Sequence, residues 1–180
     1  MDTVLLMTSL NNIIGPFTGE YRFLSNFYEK GFKYLGIPMK SAEHAYQASK
    51  CEDILECACI LFAPTPGKAK RLGQKCKLTP NWENEKLDVM EAILIEKFAD
   101  PELKEKLLAT GDADLIEIND WGDTYWGVCE GKGSNYLGKL LMMVREYYQP
   151  PHIFDKPNTA KFIQLVYKDP GGPMSFPLDH

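Results

Sequence analysis

The stretch Ser41-Ala42-Glu43-His44-Ala45-Tyr46-Gln47-Ala48-Ser49-Lys50 decides how the rest of the chain is read. Ser41 is a good N-cap, and the pattern after it predicts a helix. On that helix Glu43, Gln47 and Lys50 share one face, because positions i, i+4 and i+7 fall within a narrow wedge. Ala42, Ala45, Ala48 and Ser49 are small enough to let the helix sit close against a neighbour. A carboxylate and an amine facing one way from such a helix can act as a catalytic pair. The same spacing also fits a solvated polar stripe whose two charges stand too far apart to matter. His44 falls on the other side, where a structural role is expected.

Upstream, Arg22-Phe23-Leu24-Ser25-Asn26-Phe27-Tyr28 mixes a cation, two small polar groups and three aromatics in seven residues. Arg22, Ser25 and Asn26 can hold a phosphate or sugar edge while Phe27 stacks on a base. A polar turn that caps its own backbone fits the same residues. Phe32 to Pro38 reads as strand and turn, paired as a hairpin with the Phe27-Tyr28 segment. Residues 1–16 read as an irregular lead-in ending at Gly15-Pro16.

Downstream, Ile54 to Phe62 is a short apolar helix, and Gly67 to Lys75 a basic one carrying Lys68, Lys70, Arg71 and Lys75. Thr79-Pro80 is expected to cap a long core helix running to Phe98, with Leu87, Met90, Ile93, Leu94 and Phe98 at helical spacing. Asp100-Pro101 opens another helix, with Leu103, Leu107 and Leu108 facing inward until Gly111. Leu115, Ile116 and Ile118 read as a short strand. The glycine-rich run Gly127 to Asn135 then feeds a helix whose apolar face is Leu137, Leu140, Leu141, Val144 and Tyr148. Glycines before a helix start can leave backbone N–H groups free for an anion, with Lys132 adding charge, or can serve only the turn. Trp82, Trp121 and Trp126 each fit core or stacking platform, with Trp126 favoured as a ligand wall. The tail after Pro150 is rich in proline and glycine, with a strand-like run from Phe162 to Tyr167.

Length and composition bound the rest. A chain of 180 residues fits one domain with a sizeable core, and 44% hydrophobic with 25% charged residues is ordinary for a soluble globular protein. A net charge of −5 argues against gripping long duplex nucleic acid through phosphates, and favours a small or single-stranded substrate. Five cysteines lack a disulfide rhythm or a second pair at zinc spacing, so free thiols in a reducing compartment are expected. No signal-like basic run or membrane-length apolar segment is seen, so a cytoplasmic protein without membrane contact is expected. No P-loop, Rossmann fingerprint, Ser-His-Asp order or HExxH motif occurs, so no cofactor and no metal are expected. Carboxylate and lysine chemistry remains, at Glu43, Lys50 and Asp123.

Read together, these pieces resemble the NADAR (YbiA-like) family. They are Arg22 to Tyr28, Ser41 to Lys50, Ala69-Lys70-Arg71-Leu72-Gly73, the Trp82…Lys86…Met90 helix, Asp123-Thr124-Tyr125-Trp126-Gly127 and Gly133-Ser134-Asn135-Tyr136-Leu137-Gly138, the last running on to Leu141-Met142-Met143-Val144-Arg145. Their order covers residues 17–149, leaving 150–180 as an extension. The resemblance implies a compact, mainly helical α+β single domain with a few short strands, and hydrolysis of N-glycosidic bonds on ribosyl compounds. Family substrates it implies are ADP-ribosylated guanine in nucleic acid, as an antitoxin beside an ADP-ribosyltransferase, or ribosylamino-pyrimidine phosphates of riboflavin synthesis. It favours Lys50, Glu43 and Asp123 as catalytic without dividing the roles. A hypothetical division makes Lys50 a Schiff-base nucleophile, Glu43 the proton shuttle and Asp123 the group fixing ribose or water. Direct attack by water on the same site is the rival mechanism, and a binding module for ADP-ribose the non-enzymatic reading. Arg22, Ser25, Asn26, Phe27, Trp82, Trp126, Gly127 and Asn135 complete the expected substrate site.

Overall fold

The structure, a computed structural model, describes residues 12–150. The run Phe162 to Tyr167 lies outside the described residues.

The helix expected after Ser41 is α1, Ala42–Ser49, and the Ser41 hydroxyl accepts the His44 amide hydrogen as an N-cap should. Ala42 and Ala45 are fully buried, and α1 lies against α2 (Ile54–Leu61), α3 (Pro66–Gly73) and α4 (Trp82–Phe98). Close packing is enforced at Gly73, where a Cβ would strike the Gln47 side chain. His44 is structural: its ring bonds the Ser41 hydroxyl at 2.8 Å and the Ala63 carbonyl at 3.2 Å.

The long helix α4 carries Met90, Ile93, Leu94 and Phe98 into the main core, while Leu87 packs at its edge. Each such side chain, taken fully out of water, contributes about 1.5–3 kcal/mol. Facing α4 are α5 (Pro101–Leu108), through Leu103 and Leu107, and α6 (Tyr136–Tyr148), through Leu137, Leu140, Leu141 and Val144. Leu108, expected inward, is only half-buried. Arg145 of α6 donates to the Thr110 hydroxyl and the Ala113 carbonyl, tying that helix to the end of α5.

Three two-stranded pairs complete the described fold: β1 (Ile13–Ile14) parallel to β4 (Asp114–Leu115), β2 (Phe32–Tyr34) antiparallel to β3 (Ile37–Met39), and β5 (Ile118–Asn119) parallel to β6 (Val128–Cys129). The mainly helical α+β architecture is therefore the expected one. Several local expectations are corrected. Ile13 and Ile14 form a strand within the expected lead-in. The hairpin joins β2 to β3 and not to Phe27-Tyr28, because Leu35 and Gly36 both take positive φ, the requirement of a tight two-residue turn. α4 begins at Trp82 after Asn81, not after Thr79; the Thr79 carbonyl receives the Trp82 amide instead. The apolar run at 115–118 is split between β4 and β5, and Ile118 faces solvent.

The cysteine expectation also changes. Cys51 and Cys76 form a disulfide with Cα atoms 5.7 Å apart, joining the end of α1 to the segment after α3. Cys57, Cys59 and Cys129 are free, with Cys59 exposed. The pair is 25 residues apart in sequence and meets only because α3 folds back on α1. Among the described residues no helix is long and apolar enough to cross a membrane.

Candidate active site

The segment Arg22 to Tyr28 leaves a 3-10 turn (Gly19–Leu24) and runs across the start of α1. There the Asn26 carbonyl accepts the Glu43 amide hydrogen at 3.0 Å, satisfying a donor that the first turn of a helix cannot pair within itself. From the other side the buried Lys97 ammonium donates to the Ser25 carbonyl at 2.9 Å. Burial pulls that lysine down to about 7. Two anchors thus hold the polar-aromatic stretch beside the helix that carries Glu43 and Lys50.

Between them opens a cavity of about 730 Å³. Its wall includes Glu43, Gln47 and Lys50 from α1, so the face predicted from spacing does point one way. Arg22, Ser25, Asn26 and Phe27 line it from the anchored stretch, and Asp123 and Trp126 from the segment after β5. Eight of the expected residues are brought together.

Three are not. Trp82 is buried against Tyr46, ring centroids 5.1 Å apart, and supports the cavity wall from behind. Gly127 is buried and passes so close to the Glu117 carbonyl and the Asn119 amide that a Cβ would strike both. Asn135 spends its side chain on the backbone, donating to the Leu115 carbonyl at 2.9 Å and accepting from the Glu117 amide at 3.0 Å. The expected anion cradle of free loop amides is corrected for the same reason. Val128, Ser134 and Tyr136 donate their N–H groups to the carbonyls of Glu117, Thr124 and Tyr125, and Cys129, Lys132 and Asn135 donate to carbonyls within the run, so the glycines serve a turn whose amides are taken by the backbone.

The electrostatics follow from burial. Glu43 accepts from the Gln47 amide at 2.8 Å. Its carboxyl is pushed up by desolvation, with Asp123 adding to the push and Gln47, Lys70 and Lys50 opposing it. Desolvation pulls the Lys50 amine down, Lys70 helping and Glu43 opposing. Each charge therefore reaches the other, and the amine is displaced toward its nucleophilic neutral form. Asp123 is held by its surroundings: its Oδ1 accepts from the amides of Tyr125 and Trp126, and its own amide donates to Asn119 Oδ1. Trp126 packs edge-on against both Tyr46 and Tyr125.

The cavity is also lined by residues outside the expected site. Glu117, Trp121, Lys70 and Arg71 are all in the wall. Trp121 is 61% exposed, and the Lys70 ammonium stands 5.8 Å from the centre of the Phe27 ring. The sequence alone gives the basic run of α3 no destination. Arg22, Lys70 and Arg71 make that destination a cationic border to the cavity.

The NADAR domain model matches residues 15–148. The chain belongs to the NADAR family. This NADAR chain is 37% identical to the N-glycosidase YbiA of Escherichia coli (strain K12), over 81% of this chain and 88% of that one. It is 38% identical to a riboflavin biosynthesis protein of Vibrio vulnificus (strain YJ016), over 72% of this chain but only 36% of that longer relative. An NMR structure of Escherichia coli YbiA superposes with a TM-score of 0.70 at 35% identity, covering 81% of this chain and 92% of that one.

Proposed function

We propose that this NADAR protein is a hydrolase of the N-glycosidic bond in ribosyl compounds, acting on ADP-ribosylated guanine in nucleic acid. What carries the reading is the gathering of Lys50, Glu43 and Asp123 in one cavity bordered by Arg22, Lys70 and Arg71. Its volume falls in the range of pockets that enclose a ligand of nucleotide size. Three cations suit a diphosphate, and an exposed Trp121 suits a base beyond the bond to be cut.

The chemistry follows from charge. Departure of the base builds positive charge at C1 of the ribose, which nearby carboxylates stabilise. A partly desolvated Lys50 amine attacks C1 and forms a ring-opened Schiff base that water resolves. Glu43, within electrostatic reach of that amine, shuttles its proton, and Asp123, held by two backbone amides, fixes the ribose or the water.

A second substrate reading has a specific observation behind it. The Vibrio relative carries riboflavin biosynthesis in its name, which favours a ribosylamino-pyrimidine phosphate. Incubation with a guanosine-ADP-ribosylated oligonucleotide and, separately, with ribosylamino-pyrimidine phosphate distinguishes them when released products are read by mass. ADP-ribose released faster from the oligonucleotide is the expected result. Release from the pyrimidine compound alone would replace the substrate, and tight ADP-ribose binding without any turnover would leave a binding module. Borohydride added during turnover should leave a sugar adduct on Lys50; its absence would favour direct attack by water.

A further inference from the structure

Glu117 is the acid of the cavity wall to which the scheme above gives no work. It lies between β4 and β5 with its backbone fixed on both sides. Its amide donates to Asn135 Oδ1 at 3.0 Å, and its carbonyl accepts from the Val128 amide at 2.8 Å. The side chain is thereby aimed by a rigid support. Its Oε2 is buried and meets no hydrogen-bond partner. An ionised oxygen so placed is costly, so its surroundings favour the protonated carboxyl.

The charges that reach it come from four elements. Asp123, after β5, pushes in the same direction as burial, while Arg22 from the 3-10 turn, Lys70 from α3 and Lys97 from α4 pull back. The balance holds the group up at about 7. Glu43 is placed differently, since its Oε1 is taken by the Gln47 amide and its charge acts on Lys50.

We propose that Glu117 is the general acid that protonates the departing nitrogen, leaving Glu43 to serve the Lys50 amine. The assignment rests on the N-glycosidase reading. As the Lys50 nitrogen bonds to C1, the C1–N bond breaks and its electron pair goes to the departing nitrogen, which takes the Glu117 proton. The C1–O4 bond then opens. O4 takes the proton shed by the lysine nitrogen, whose electron pair makes the Schiff base. Water adds to C1 and returns a proton to the Glu117 carboxylate. The carbinolamine collapses to the free amine and the sugar aldehyde. No electrons are gained or lost.

The test compares wild type and Glu117→Gln on two leaving groups. In the ADP-ribosylated oligonucleotide and in ribosylamino-pyrimidine phosphate the nitrogen needs a proton to leave. In NAD+ it departs from a pyridinium as a neutral base and needs none. Loss of a general acid predicts a fall in kcat/KM, which reads only the steps up to release of the base, of about 10²–10⁴-fold on the first kind and under about tenfold on NAD+. The variant should also lose the fall in kcat/KM that the wild type shows above neutral pH, and this limb decides if the wild type leaves NAD+ uncut. Equal losses on both kinds, no loss on the first, or an unchanged basic limb would overturn the assignment. Wild type that cleaves neither ribosylated substrate would instead remove the hydrolase reading beneath it.

Discussion

Lys50 stands where α1 gives out, its amine partly withdrawn from water between Glu43 and Lys70. Because the Glu43 charge favours the protonated amine, Glu43→Gln should shift the amine's titration to lower pH. The acid limb of borohydride trapping is expected to move to lower pH with it, even as turnover falls; an unmoved limb would mean the two groups do not communicate. Glu117 gives a stability prediction of opposite sense to its activity. Its folded-state value of about 7 lies above the ordinary 4.5, so the folded protein holds a proton that the unfolded chain has released. Stability therefore falls as pH rises from about 4.5 to 7 and stays lower above that. Glu117→Gln removes the penalty and should be more stable than wild type at pH 8 by about 1–2 kcal/mol, discounted for its partly solvated position. The gain should vanish near pH 4, as read by urea unfolding at both values.

At the scale of elements, the helices were legible because each is written in local spacing. The α1 face, the α4 core stripe and the Asp100-Pro101 start all stand where periodicity and capping put them. The strands were not, because a two-residue strand carries no period of its own and exists only through its partner. The glycine-rich turn misled for a related reason. Glycine spacing states that the backbone bends, whereas carbonyls from distant segments decide whether its amides remain free. Gly73 tests the packing argument directly. A methyl there must push Gln47, the residue that holds Glu43, so Gly73→Ala should destabilise by about 1–3 kcal/mol. It should also lower kcat more than it raises KM, whereas Gly36→Ala, remote from the cavity wall, should leave kcat unchanged.

For the molecule as a whole, charge is unevenly spent: a chain of net −5 sets Arg22, Lys70 and Arg71 around one cavity. Few phosphate contacts predict a shallow salt dependence. With three cations on a single strand, the slope of log binding against log salt should be about −2, far below that of a duplex-binding protein. Titration of the Lys50→Ala variant with a single-stranded ADP-ribosylated oligonucleotide at several salt concentrations measures it. A slope steeper than about −5 would require a larger basic surface.

The amino-acid sequence determined which residues share a helix face, because a helical repeat is a local property that eleven or so residues express unaided. It also determined the family-wide order of motifs, which the matched span of residues 15–148 reflects. Only the tertiary structure decided which acids are desolvated, that Asn135 and Gly127 serve the backbone, that Cys51 meets Cys76, and that the basic run of α3 borders the cavity. Burial is the physical reason. A carboxyl such as Glu117 acquires its proton-holding character from desolvation, with Asp123 adding to it and Arg22, Lys70 and Lys97 opposing it, groups spread over a hundred residues of chain that only folding brings within reach.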